Sequence, residues 1–135
     1  FFIFFKMQVK EIMNRIMVMP PETKILEATR KMVDNHIGSI LIGKNHKILG
    51  IVTDGDIFRR FVITGKLSGE VEVKEIMTKN LIKIDANENV EYALEVMKRK
   101  KIKHLPVISN GKIVGIVTAS DIAKHATEIG MDSWF

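Results

Sequence analysis

Apolar positions along the chain follow two periods, and the switches between them outline its elements. Ile16-Met17-Val18-Met19 is a short apolar run stopped by Pro20-Pro21, which predicts a short buried strand. Thr23 opens a stretch in which Leu26, Thr29 or Arg30, Met32, Val33 and Ile37 fall at roughly helical spacing, a stripe of core residues. Residues 39–43 predict a strand, Lys44-Asn45-His46 a hairpin turn, and 47–52 the returning strand. A second helix is predicted from Thr53 through Ile57, Phe58, Phe61 and Val62, followed by a polar linker over residues 65–72. The same plan then returns: a strand at 81–84, a helix from about 88 to 100, strands at 105–108 and 112–117, and a final helix from Thr118, capped by Gly130. Asn110-Gly111 between two alternating apolar runs is a two-residue hairpin signal.

The return is a duplication in sequence as well as in pattern. Gly50-Ile51-Val52-Thr53-Asp54-Gly55-Asp56-Ile57 recurs 65 residues later as Gly115-Ile116-Val117-Thr118-Ala119-Ser120-Asp121-Ile122. Val9-Lys10-Glu11-Ile12-Met13, which reads as a short helical turn, recurs unchanged as Val73-Lys74-Glu75-Ile76-Met77, 64 residues later. Met32, Ile37 and Ile48 answer to Met97, Ile102 and Ile113. Two copies disfavour a solenoid, which needs three or more, and favour a closed pseudo-twofold pair. The fold class is therefore α/β (α+β), built from two β-α-β-β-α repeats over residues 7–65 and 73–127. Residues 66–72 link them, 1–6 form an N-terminal extension and 128–135 a C-terminal tail.

Composition narrows the function classes. With 135 residues, 46% of them hydrophobic, the chain can bury one respectable core. It has no cysteine, so disulfides, thiolate zinc sites and a cysteine nucleophile are excluded, which fits a reducing, cytoplasmic setting. The net charge of +5 is spread along the chain with Glu interleaved, so nucleic acid is not indicated as a partner. The Phe1-Phe2-Ile3-Phe4-Phe5-Lys6 stretch is too short to span a bilayer and lacks a cleavage pattern. It reads as a non-native extension ahead of a natural start at Met7, or else as an apolar arm packing on a partner.

Each Gly-Ile-Val-Thr-x-x-Asp junction predicts a strand turning straight into a helix, with Thr as the N-cap and Asp at the third helical position. Such a junction can present backbone N–H groups and a hydroxyl to a phosphate, while an Asp one turn on can accept both hydroxyls of a ribose. The same residues also make a self-sufficient cap, with no ligand needed.

The duplicated order, the Val-Lys-Glu-Ile-Met opening, Lys103-His104-Leu105-Pro106-Val107-Ile108 and the paired Gly-Ile-Val-Thr-x-x-Asp together resemble a tandem pair of cystathionine-β-synthase (CBS) domains, a Bateman module, from Val9 to about Ala126. Repeat 1 departs from the pattern at Gly38-Ser39-Ile40-Leu41, where the family favours a basic residue and Leu-Pro. The resemblance implies a non-catalytic sensing module. It would hold an adenine nucleotide (AMP, ADP or ATP) or S-adenosylmethionine in clefts between the repeats and signal through a homodimer to a regulated partner. Carried over, the ligand residues are Thr53 with Asp56 and Thr118 with Asp121, with Thr78, Lys103 and His104 toward phosphate. The segments Ile12-Met13-Asn14 and Ile76-Met77-Thr78 resemble the family's cleft-lining segments. Because Asp54 stands where the second copy has Ala119, the second junction should tolerate polyphosphate better. Thr-Asp-Gly-Asp at 53–56 also resembles the CBS tail of arabinose-5-phosphate isomerases.

Catalysis finds little support. His36, His46, His104 and His125 lack metal-ligand spacing, and neither a Walker loop, Gly-x-Ser-x-Gly nor Gly-x-Gly-x-x-Gly occurs. The alternatives are a structural or interaction CBS module with empty clefts and a nucleic-acid-binding CBS protein. The cluster Lys98-Arg99-Lys100-Lys101 sits where it offsets a helix dipole.

Overall fold

Two-residue turns set the register of both sheets. Asn45 and His46 have φ of 53° and 62°, and Asn110 and Gly111 have 52° and 76°, the left-handed pair that matches strand twist in tight hairpins. The second turn uses the favoured Asn-Gly; the first holds a histidine in the same region. The structure, a computed structural model, describes residues 7–126. Strand β2 (Ser39–Lys44) pairs antiparallel with β3 (Lys47–Thr53), and β1 (Val18–Met19) lies parallel to β2 on its other side. In the second copy β5 (His104–Ser109) pairs antiparallel with β6 (Lys112–Thr118), and β4 (Ile84–Asp85) runs parallel to β5. Helices α1 (Ile25–Asp34) and α3 (Val90–Lys100) connect the parallel strands, and α2 (Asp54–Asp56) and α4 (Ala119–Lys124) follow β3 and β6. The β-α-β-β-α order is thus realised twice.

The spatial units are offset from the sequence repeats. Among the described residues, one unit is 17–81 and the other joins 7–16 to 82–126. The 3-10 turn Val9–Glu11 therefore packs with the second sheet: Val9 and Ile12 are buried with Ile84, Val90, Leu105, Val107, Val117 and Ile122. The Val9 N–H donates to Glu88 O at 2.9 Å and the Val90 N–H to Met7 O at 2.9 Å. Its copy, the turn Val73–Glu75, packs with the first sheet, where Val73 and Ile76 join Ile25, Met32, Ile40, Ile42, Val52 and Phe61. The Val73 N–H donates to Thr23 O at 2.8 Å. Each copy of Val-Lys-Glu-Ile-Met thus completes the core of the unit built by the other copy's sheet.

Several local expectations are corrected. The first strand is only Val18–Met19, and Val18 is 45% exposed, because a two-residue edge strand has one face open to water. The predicted strand at 81–84 is instead Ile84–Asp85. In α1 the core face is Ile25, Ala28 and Met32, while Leu26 and Val33 lie exposed, so the helix is turned by one position from the stripe read in the sequence. The helix predicted to run on from Thr53 becomes a π turn at Ile57–Phe61 and a 3-10 turn at Val62–Thr64, closed by Gly65 at φ 70°. That change buries Phe61 and leaves Phe58 and Val62 exposed. The linker is also less polar in its contacts than in its composition: Val71 is buried and its carbonyl accepts the Ile25 N–H at 2.9 Å. The extension Phe1–Lys6, the Gly130 cap and the tail fall outside the described residues.

At the surface, the Lys44 ammonium bonded to Glu22 at 3.1 Å holds that carboxyl below its ordinary value, and Glu72 raises the Lys74 ammonium above its own. Among the described residues no helix is long and apolar enough to cross a membrane.

Because both Val-Lys-Glu-Ile-Met turns complete a core, Ile12→Ala and Ile76→Ala should each destabilise the protein by about 2–5 kcal/mol, the range for a large core aliphatic truncated to Ala. Urea unfolding measures this; a solvated turn would change by less than about 0.5 kcal/mol.

Candidate functional site: the paired strand-to-helix junctions

The chain leaves β3 at Thr53 in an extended conformation (φ −109°, ψ 166°) and turns at once into α2. The Asp56 N–H donates to Thr53 Oγ1 at 3.1 Å, and the Thr53 N–H donates to Asp56 Oδ2 at 2.9 Å. This reciprocal arrangement is a capping box with Asp in the place usually held by Glu or Gln. The second copy repeats it: the Asp121 N–H donates to Thr118 Oγ1 at 3.1 Å and the Thr118 N–H to Asp121 Oδ2 at 3.0 Å. Here the Thr118 hydroxyl also donates to Asp121 Oδ2, at 2.6 Å. The Thr N-cap and the Asp at the third helical position are thus where the sequence placed them.

The first helical N–H is spent on the neighbouring strand's start in both copies. Asp54 N–H donates to Gly38 O at 2.9 Å and Ala119 N–H to Lys103 O at 3.0 Å. The second helical N–H separates the copies. Gly55 N–H donates to the Asp54 carboxylate at 2.7 Å, whereas Ala119 offers no acceptor to Ser120. The first junction therefore carries a carboxylate on the amide for which the second has none from the preceding residue.

Other candidates gather unevenly. His104 opens β5 directly across from Thr118 in the antiparallel register, half-buried, and the Lys103 carbonyl takes the Ala119 N–H, so both residues stand beside the second junction. The Lys103 side chain is exposed. Thr78 belongs to the first junction: its backbone exchanges two hydrogen bonds with Ile51, at 3.0 and 2.9 Å, two residues before Thr53. Asn14 is bridged to Ile116 in the same way, at 2.8 and 3.0 Å, two residues before Thr118. These bridges need glycine close by. A Cβ at Gly50 would lie 2.7 Å from Thr78 O and 2.8 Å from Met77 Sδ, and one at Gly115 would lie 2.5 Å from Met13 Sδ.

Two further residues bond to the junction aspartates: Asn14, which the sequence offers only as part of a segment resembling the family's cleft lining, and Arg60, which it does not offer as a site residue. Asn14 Nδ2 donates to Asp121 Oδ2 at 2.7 Å across 107 residues of chain. Arg60 reaches Asp56 Oδ1 at 3.9 Å and donates to Ile76 O at 3.1 Å. Asp56 is 8% exposed, more enclosed than Asp121. The signal for Asn14 was its alignment with Thr78 in the 64-residue repeat; Arg60, one turn past Asp56, had an i,i+4 spacing to it. The basic run Lys98, Arg99 and Lys100 occupies the last turn of α3. Among the described residues, no group of three His, Cys, Asp or Glu could hold a metal ion.

The chain belongs to the CBS-domain family: the CBS domain model matches residues 9–63 and again 73–128. A protein of Methanocaldococcus jannaschii is 30% identical over 121 residues, 87% of this chain and 65% of its own length. The arabinose 5-phosphate isomerase of Francisella tularensis is 37% identical over 112 residues, 82% of this chain but 34% of the enzyme. The chain thus spans between a third and two thirds of these relatives. Among solved structures, a conserved protein of Pyrococcus horikoshii superposes with a TM-score of 0.84 at 32% identity, covering 90% of this chain and 93% of that one. A CBS domain pair solved in complex with 5′-methylthioadenosine and S-adenosyl-L-methionine gives 0.78 at 29% identity, covering 88% and 94%.

Because each Thr caps a very short helix, Thr53→Ala and Thr118→Ala should each lower ligand-free stability by about 1 kcal/mol in urea unfolding. Thr53→Ser and Thr118→Ser, which keep the hydroxyl, should recover most of it.

Proposed function

We propose that this CBS pair is a non-catalytic sensing module that takes an adenine nucleotide or an adenosyl ligand at the Thr53–Asp56 and Thr118–Asp121 junctions. The observation that carries the reading is the second junction. There a Ser120 N–H with no carboxylate from the preceding residue and an Asp121 carboxylate bonded at Oδ2 lie within one helical turn, a set suited to a phosphate or similar polar group together with a ribose diol. A related pair, 29% identical, binds 5′-methylthioadenosine and S-adenosyl-L-methionine, which supports an adenosyl ligand here. Thr78, Lys103 and His104 flank these junctions as the phosphate-side residues. With Asp54 on the first junction's amide, the second is the better seat for polyphosphate.

Ligand binding acts by favouring one arrangement of the module over another, by no more than its differential affinity. The output passes through a homodimer. Val33, Phe58, Val62 and Ile63 are between 56 and 79% exposed on the helical turns of residues 17–81, next to a groove of about 410 Å³ lined by Met32, Val33, His36, Ile37, Asp54 and Ile57. Exposed aliphatic and aromatic side chains in such number suit burial against a second copy.

One observation favours a structural module with empty sites instead: both capping boxes are complete without a ligand.

A thermal-shift series with AMP, ADP, ATP and S-adenosylmethionine distinguishes the two. A ligand at a hundredfold excess over its Kd adds about 2.7 kcal/mol, a rise in Tm of about 10 °C for a domain of this size. The rise should persist in Asp56→Ala or in Asp121→Ala but not in both, which identifies the working junction. No shift at millimolar concentration with any of the four would leave the structural module as the reading. For the dimer, Phe58→Glu should convert the protein to monomer in analytical ultracentrifugation; an unchanged mass would place the interface elsewhere.

A further inference from the structure

Asn14 and Asp121 are held together although nothing in the capping of α4 requires it. The capping box is closed by Thr118 and Asp121 alone. Asn14 adds a third donor to an oxygen that already receives the Thr118 N–H and the Thr118 hydroxyl. The bond is short, 2.7 Å, as expected for an amide donating to a carboxylate. A carboxylate only accepts, so the amide must present Nδ2 to it and turn Oδ1 away. The Asn14 backbone is fixed by its two bonds to Ile116 and by Met13 packed over Gly115, so the side chain is delivered from a rigid base.

The consequence is a division of labour between the two carboxylate oxygens. Oδ2 is saturated by three donors, which fixes the plane of the group, and Oδ1 receives none of those bonds. Asn14 Oδ1 accepts nothing either among the described residues. Asp121 Oδ1, on a carboxylate of fixed plane, is thereby left for a ligand that brings hydroxyl donors. The first junction lacks this arrangement. Its counterpart to Asn14 is Thr78, whose side chain makes no bond to Asp56, and Asp56 Oδ1 faces the Arg60 guanidinium at 3.9 Å instead.

We infer that Asn14 is a positioning residue for Asp121, holding the carboxylate by Oδ2 so that Asp121 Oδ1 accepts a vicinal diol such as the ribose 2′- and 3′-hydroxyls. This rests on the adenosyl-ligand reading of the second junction and makes Asp121, not Asp56, the diol acceptor. A residue acting only on stability would weaken all ligands alike, whereas a residue that orients a diol acceptor changes the preference for ribose over deoxyribose.

The test is isothermal titration of the full chain with AMP and with 2′-deoxy-AMP, on wild type, Asn14→Ala, the isosteric Asn14→Asp, Asp121→Ala and Asp56→Ala. Asn14 is exposed and its fixed backbone does not depend on its amide, so ligand-free Tm checks that the variants fold. Wild type should prefer AMP; Asn14→Ala and Asn14→Asp should each reduce that preference about tenfold, and Asp121→Ala should abolish it. If Asp121→Ala abolishes the preference while both Asn14 variants keep it, the positioning role is overturned and the adenosyl reading stands. If the preference survives in Asp121→Ala and is lost in Asp56→Ala, the assignment of the diol to Asp121 is overturned. If wild type binds neither nucleotide, this inference is overturned, and the adenosyl reading falls with it only if S-adenosylmethionine also gives no thermal shift.

Discussion

The reciprocal pair of hydrogen bonds between a strand-ending threonine and the aspartate three residues on is the constraint from which both junctions follow. The helices they open are three and six residues long. Segments that short are far below the length at which a helix in water holds itself, because nucleation costs more than so few bonds return. The capping box supplies the bonds that the helices lack, and the burial of Ile122 beneath α4 and of Phe61 after α2 anchors their far sides. The polar groups that hold the backbone are thus the same ones proposed to take a ligand.

Sharing of that kind explains why the two copies differ in chemistry while agreeing in fold. The backbone tolerates any neighbour that leaves the box closed, so Asp54 can stand where Ala119 does, and Arg60 where His125 does. Each exchange changes what a ligand meets. The first junction encloses its aspartate, sets a guanidinium against it and covers a helical amide with a carboxylate; the second binds its aspartate by one oxygen to Asn14 and Thr118 and has no carboxylate beside that amide. Duplication followed by divergence at such positions gives one module two non-equivalent junctions.

The short Val-Lys-Glu-Ile-Met turns show a second economy. Each buries two aliphatic side chains in a core and then, one or two residues later, delivers Asn14 or Thr78 to a junction. Glycine at positions 50 and 115 permits the close approach, since a Cβ there would collide with backbone and methionine sulfur. Core packing and site geometry are therefore set by the same segment.

The sequence by itself determined the duplication, the strand-turn-strand hairpins, the helices at α1 and α3, and the role of Thr and Asp at each junction. These are local matters, decided by side-chain period, turn chemistry and capping within a few residues. What it could not decide was which sheet each Val-Lys-Glu-Ile-Met turn completes, since identical segments carry identical local signals and only packing distinguishes the partners. The face of α1 was misread for a related reason: Leu26 and Val33 fit an apolar stripe as well as Ile25 and Ala28 do, and the sheet beneath chose between them. The break from α2 into a π turn likewise followed from burying Phe61. Above all, the bond from Asn14 to Asp121 spans 107 residues, a separation over which no local pattern operates and only the tertiary fold can bring an amide to a carboxylate.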